Sequence, residues 1–184
     1  SLETQSYDKR HLVPFGEYVP LGGLVPFIDS LARNAGNFSS SDTATLFAIE
    51  ETELGLSLCF EVTFAAEVAD LVRSGATVLA TITNDAWYGD TSAPHQHLRA
   101  ARFRAAENGR PMLRAALTGI SAVIAPDGSV TDLLGVGEEG VLAAHVNPSN
   151  ARTLYTRAPC LASTAASLVV LFAILWRPMT ESQK

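Results

Sequence analysis

The sequence predicts an α/β protein: one sheet with helices against one of its faces, followed by a single apolar helix near the C-terminus. Three observations carry this reading. Short apolar runs alternate with two segments of helical periodicity in the order strand, strand, helix, strand, helix, then several strands, with no internal repeat. The run Gly55 to Phe60 contains Cys59 where a strand gives way to a helix, the edge from which α/β sheets present reactive side chains. The composition then changes after Asn150, where alternation ends and Ala158 to Trp176 runs about 19 residues without a charge.

The chain opens on polar residues 1 to 6, with no start methionine, basic segment or apolar segment of a signal peptide, and reads as the later part of a longer chain. A dense stretch follows from Tyr7 to Pro20. Pro14, Gly16 and Pro20 forbid a regular helix there, while Leu12, Val13, Phe15, Tyr18 and Val19 are too apolar for a free linker. It is expected to be an ordered loop packed on the domain. Lys9 and Glu17 within it have two readings. An ammonium beside a thiol lowers the thiol's pKa from about 8.5 and can stabilise an oxyanion; alternatively the pair is a solvated lysine and a turn acid. Leu24 to Leu31 is expected as a short helix and Asn34 to Asp42 as a loop, together a possible lid.

Thr45 to Ile49 and Leu54 to Phe60 read as adjacent antiparallel strands across the charged turn Glu50 to Glu53. Thr63 to Arg73 carries Phe64, Val68, Leu71 and Val72 at helical spacing. Cys59 lies between, and a free cysteine is equally at home as a small core hydrophobe. Ala76 to Thr83 is a β-branched strand leading into Asn84-Asp85-Ala86-Trp87-Tyr88-Gly89, which either lines a pocket or caps its own turn. His97 to Asn108 reads as a helix with Leu98, Ala101 and Ala105 inward and Arg99, Arg102 and Arg104 spread around it, stopped by Gly109 and Pro111. Four short strands follow at Met112 to Leu117, Ile120 to Ala125, Val130 to Leu134 and Val141 to Val146, with Asp127-Gly128 as a hairpin signal.

A chain of 184 residues with 47% apolar content and slightly positive mean hydropathy suits one domain with a membrane-embedded part. The net charge of -6, without a basic cluster, excludes a nucleic-acid surface. The two cysteines, Cys59 and Cys160, form no disulfide framework. His95 and His97, two apart, diverge on a helix and have no third ligand nearby, so no metal is expected, nor any other cofactor. Ala158 to Trp176 is long enough, at about 1.5 Å per residue, to cross a hydrocarbon core of about 30 Å. Ser163, Thr164 and Ser167 leave a buried amphipathic helix as the other reading. The expected organisation is a domain over 1–150, a linker over 151–157, a transmembrane helix over 158–177 and a polar tail over 178–184.

The motifs Lys9 to Pro20, Leu58-Cys59-Phe60-Glu61 and Thr83 to Gly89, in this order, resemble the apolipoprotein N-acyltransferases of the nitrilase, or carbon-nitrogen hydrolase, superfamily. The resemblance implies a bacterial inner-membrane enzyme with a periplasmic nitrilase-like α-β-β-α sandwich, of which this chain carries the C-terminal part, and a membrane helix. It implies that Cys59 accepts a phospholipid acyl chain as a thioester and Lys9 stabilises the oxyanion. Glu17 would hold the lysine, and Glu61 is the acid just after the nucleophile. Phe60, Asn84, Trp87 and Tyr88 would bind substrate. The acceptor would be the N-terminal diacylglyceryl-cysteine of an apolipoprotein. Two departures stand out. The family's general-base glutamate precedes the lysine motif and matches none of Asp8, Glu17 and Glu61, so the chain alone is expected to be inactive. Ala93-Pro94-His95 lacks the aromatic expected after the proline. A membrane-tethered nitrilase or amidase-type hydrolase and a noncatalytic relic remain the alternative readings.

Overall fold

The computed structural model describes residues 5–18, 38–159 and 161–176. The expected helix over 24–31, most of the lid, Cys160 and the tail lie outside them.

The sheet is mixed and has six strands in sequence order, β1-β2-β3-β4-β5-β6. β1 (Leu46–Ile49) and β2 (Thr52–Leu58) pair antiparallel, with Ile49 opposite Thr52. The turn between them is therefore only Glu50-Glu51, shorter than the four charged residues suggest, and it is closed by Glu50 at φ 53°. β3 (Val78–Thr83) and β4 (Met112–Ala116) continue parallel to β2, and β5 (Ser121–Ile124) and β6 (Val130–Leu134) return antiparallel. The hairpin at Asp127-Gly128 forms because Gly128 adopts φ 83° and the Asp127 carboxylate accepts from the Ser129 amide and hydroxyl at 2.8 and 2.6 Å.

Two helices make the parallel crossovers. α1 (Ala65–Arg73) turns Val68, Leu71 and Val72 inward, and α2 (Ala93–Asn108) does the same with Leu98, Ala101 and Ala105. They meet Leu79, Met112, Ile120 and Ile124 in one continuous core. Each fully buried side chain of this size contributes roughly 1.5–3 kcal/mol. α2 ends where Gly109 takes the left-handed conformation at φ 59°. Arg104 departs from the expected outward arrangement: it is buried, pairs with Glu107 and donates to the Thr63 carbonyl at 3.3 Å. An arginine whose planar fork meets both a carboxylate and a carbonyl can lie under a helix where a lysine could not.

The expected strand over 141–146 does not form. Val141 and Leu142 instead border a cavity with Ala80, Ile82, Leu113 and Val123, and the Ser149 amide donates to the Thr77 carbonyl at 3.0 Å. The chain thus crosses the face of the sheet from β6 back toward β3, and a crossing segment cannot join the ladder. Residues 151–157 are docked: Arg110 donates to the Ala151 carbonyl at 2.6 Å, and Thr156 in the short helix α3 (Leu154–Arg157) donates to Asn108 at 3.1 Å. The apolar run forms α4 (Leu161–Leu175), with Leu168 60% and Phe172 60% exposed. Among the described residues no helix is long and apolar enough to cross a membrane.

Gly55 on β2 faces the core, and a Cβ there would meet Ala76 at 2.9 Å, Leu71 at 3.1 Å and Leu79 at 3.2 Å. Gly55→Ala reduces unfolded-chain entropy, worth about 0.4–1 kcal/mol. Overpacking of about 1–3 kcal/mol outweighs it. A thermal or urea melt is expected to show a net loss of stability in this variant.

Candidate active site

β2, β3 and β4 are parallel, so their carboxyl ends share one edge, with Leu58 beside Ile82 and Thr83 beside Ala116. The candidate site lies along that edge.

Cys59 begins a 3₁₀ turn, Cys59–Thr63, directly after β2, and holds φ 53°. A left-handed conformation costs a residue with a Cβ about 1–3 kcal/mol and persists only where its surroundings enforce it. Cys59 is half-buried and lines a cavity of about 130 Å³ with Val13, Gly16, Glu17, Trp87 and Tyr88. Trp87 is 79% exposed at the rim. Tyr88 stands deeper, and burial, followed by the charges of Cys59 and Asp85, pushes its phenol up against the opposing pull of Arg114.

Glu17 and Lys9 arrive from the N-terminal loop. The Glu17 carboxylate accepts from Lys9 Nζ at 2.6 and 2.8 Å and from the Val13 amide at 2.8 Å, which closes the turn through Phe15. Lys9 is largely buried, with its side chain 13% exposed. The loop is ordered and packed, as its apolar residues predict.

Glu61 does not face the cavity. Its side chain is almost fully buried and accepts from Tyr7 Oη at 2.7 Å, Leu58 N at 2.6 Å, Arg10 N at 2.5 Å and His11 N at 3.1 Å. Burial first and Glu61 second push the Tyr7 phenol far up, so it stays a donor. Around this carboxylate the Arg10–Asp70 ion pair and the His11–Glu67 hydrogen bond, both at 3.0 Å, fasten the loop to α1. Partly exposed pairs of this kind contribute about 0–1 kcal/mol each, less than the Glu61 cluster.

Phe60 also points away from the cavity, packing edge-on against Phe64 at 5.0 Å and His11 at 6.1 Å. Asn84 caps the second 3₁₀ turn, Asp85–Tyr88, accepting from the Ala86 amide at 3.1 Å and the Thr118 hydroxyl at 3.2 Å. The structure therefore gathers Cys59, Glu17, Trp87 and Tyr88 around one cavity, with Lys9 on Glu17. It leaves Phe60, Glu61 and Asn84 outside the cavity lining.

Behind the cavity is a buried cluster that the sequence reading missed. Asp85 Oδ1 meets His97 Nδ1 at 2.9 Å and accepts from the Thr83 hydroxyl at 2.9 Å, while Asp85 Oδ2 accepts from Arg114 Nη2 at 2.7 Å. His97 Nε2 reaches the Cys59 carbonyl at 3.0 Å. Gly119 makes room for this carboxylate, since a Cβ there would strike it. Burial alone would raise the Asp85 carboxyl, but the His97 hydrogen bond, the Arg114 charge and the Thr83 hydroxyl together hold it below the usual carboxylate range. One signal was readable: Arg114 is a charge inside a predicted strand, and a buried arginine requires an acid. Among the described residues no cluster of three or more His, Cys, Asp or Glu could hold a metal.

Residues 1–155 match the carbon-nitrogen hydrolase family. Curated proteins named apolipoprotein N-acyltransferase are similar. The protein from Geobacter metallireducens is 40% identical over 150 residues, covering 82% of this chain and 29% of that protein. The one from Ralstonia nicotianae is 40% identical over 175 residues, covering 93% and 33%. The chain thus spans about a third or less of these relatives. Among solved structures, NitN amidase from Nesterenkonia sp. AN1 shares the fold at TM-score 0.57 and 22% identity, over 89% of this chain and 58% of that one. A mutant of the Nesterenkonia amidase, with the acetamide moiety of fluoroacetamide added covalently at its active-site cysteine, aligns at TM-score 0.50 and 25% identity, over 72% and 47%.

Asp85→Asn leaves Arg114 and His97 against a neutral amide. Removing one member of a buried ion pair costs about 3–5 kcal/mol. Because the folded carboxyl is depressed, its contribution is fully present above the ordinary value of about 3.9 and is lost as pH falls through the lower folded value. Denaturation curves are expected to show the full gap between wild type and Asp85→Asn at pH 7, narrowing below about pH 4.

Proposed function

This chain belongs to the carbon-nitrogen hydrolase family, and from that premise we propose that it forms part of an acyltransferase acting on the N-terminal diacylglyceryl-cysteine of bacterial apolipoproteins. The observation that carries the proposal is Cys59, presented in a left-handed conformation to a cavity that also holds Glu17, on which Lys9 rests. The similarity to proteins named apolipoprotein N-acyltransferase supports the choice of reaction.

In this reading the Cys59 thiolate attacks an acyl ester of a phospholipid. The Lys9 ammonium stabilises the tetrahedral oxyanion, the lysophospholipid alkoxide leaves with the proton that the general base took from the thiol, and a thioester remains on the sulfur. The free amine of the acceptor then attacks the thioester carbonyl and gives a proton to the same base, and the amide forms as the carbon-sulfur bond breaks and the thiolate is released. Glu17 accepts from the lysine with both carboxylate oxygens and is itself held by the Val13 amide. Glu61, saturated by four donors, positions the loop and the nucleophile turn and transfers no proton. Trp87 and Tyr88 form the apolar wall for the acyl chain, and Asn84 caps the turn that carries them. The general base and a second sheet, which would complete the α-β-β-α sandwich, come from sequence beyond these residues.

Both substrates carry lipid, so the site needs a bilayer beside it. The exposed apolar side chains of α4 support a membrane span over 158–177, with the catalytic domain on the periplasmic side of the inner membrane. The docked segment 151–157 then makes a short rigid mount between domain and bilayer.

In the full-length protein, in vesicles containing a radiolabelled phospholipid, Cys59→Ser is expected to lower the hydroxylamine-labile acyl-enzyme by at least about 100-fold. A normal yield of that species would remove Cys59 from the role. Release of ammonia from a small amide, without lipid, would favour the hydrolase reading instead. Lys9→Arg keeps the charge but spreads it over a fork too broad for an ammonium's place, and turnover is expected to fall about 10²- to 10³-fold. Near wild-type kcat in that variant would reduce Lys9 to a diffuse field.

A further inference from the structure

We propose that His97 is a positioning residue for the nucleophile, whose Nε2–H clasps the Cys59 carbonyl and holds the cysteine in its left-handed conformation. The inference rests on the reading of Cys59 as nucleophile.

Both ring nitrogens of His97 face acceptors. Nδ1 lies 2.9 Å from Asp85 Oδ1, and Nε2 lies 3.0 Å from the Cys59 carbonyl oxygen. A carbonyl oxygen offers no hydrogen, and the Asp85 carboxylate is already committed to the Thr83 hydroxyl and to Arg114. Nε2 must therefore carry a hydrogen, because a carbonyl oxygen can only accept. The bond is shielded from water, the His97 side chain being 4% exposed. Nδ1 sits between Asp85 Oδ1 and, at 3.3 Å, Arg114 Nη2, which together fix the orientation of the ring.

His97 does not line the cavity; Tyr88 stands edge-on to it with ring centroids 6.2 Å apart and forms the wall. Its action on the reacting atoms therefore passes through the Cys59 main chain. Without that donor the 59–60 peptide is free to rotate, Cys59 relaxes out of φ 53°, and the sulfur leaves its place at the cavity.

Two near-isosteric substitutions separate positioning from packing. In the full-length protein, His97→Gln keeps an amide donor for the Cys59 carbonyl and a carbonyl oxygen for Arg114, whereas His97→Met fills the space without a donor. The readout is the rate of Cys59 alkylation by iodoacetamide, followed by peptide mass spectrometry, beside kcat for acyl transfer and Tm. His97→Met is expected to slow alkylation and kcat by about 10- to 100-fold. His97→Gln should recover most of both, with the two variants melting within a few degrees of each other. If His97→Met does not fold, His97→Asn provides the contrast, because its amide can meet Asp85 but is too short for the Cys59 carbonyl; it is expected to be as slow. Wild-type alkylation in His97→Met or His97→Asn would overturn the proposal. So would equal impairment of His97→Gln and His97→Met with an equal drop in Tm. Alkylation does not depend on acyl transfer, so if Cys59→Ser retained transfer, the nucleophile reading would fail while the clasp remained measurable.

Discussion

A single buried carboxylate joins the two halves of the candidate site. Glu61 takes four hydrogen bonds, from Tyr7, Leu58, Arg10 and His11, and three of these donors, Tyr7, Arg10 and His11, lie about fifty residues upstream in the loop that carries Lys9. An ionised carboxylate out of water is expensive by several kcal/mol. Hydrogen bonds to a charged group return about 1.5–3 kcal/mol each, so four donors offset the cost and three do so only narrowly. The arrangement is stable when loop, strand end and turn are all in place, and each element thereby fixes the others.

The sheet sets the remaining distances. Parallel pairing of β2, β3 and β4 brings three strand ends to one edge, so that the turn beginning at Cys59 and the turn beginning at Asp85 emerge side by side. α2 then lowers His97 between them and β4 contributes Arg114 from beneath. The site consists of a polar floor made by Asp85, His97 and Arg114, a nucleophile held above it, and an apolar wall of Trp87 and Tyr88. The floor is closed to water, and within it the Arg114 guanidinium and the Asp85 carboxylate compensate each other.

The opposite face of the sheet and α4 show the other side of the same economy. Ile82 and Leu133 stay half exposed, and α4 presents Leu168, Val169 and Phe172 to its surroundings. The helix-facing side of the sheet, by contrast, is closed by α1 and α2 in a dry core. This asymmetry leaves much of one sheet face and the surface of α4 without a covering layer among the described residues.

Much of this was legible in the sequence. Periodicity located α1, α2 and the strands, because burial on one face imposes a repeat of about two or 3.6 residues wherever a sheet and its helices meet. The strand-end position of Cys59 and the packed nature of the Lys9 loop followed from local composition, and the motif order carried the family resemblance. What the sequence could not assign was partnership across distance. Glu61 reads as an acid beside a nucleophile until Tyr7 and the amides of Arg10 and His11 are seen saturating it. His97 reads as an unmatched metal ligand and Asp85 as a turn residue, and Arg114 draws no notice in its strand, until folding brings His97 Nδ1 to 2.9 Å and Arg114 Nη2 to 2.7 Å from the Asp85 carboxylate. Val141 to Val146 has strand composition, yet its path across the sheet denies it a ladder. Local propensity depends on neighbours in the chain and is written there; the desolvated pairing of charges depends on which residues the fold brings together, and only the tertiary structure decides that.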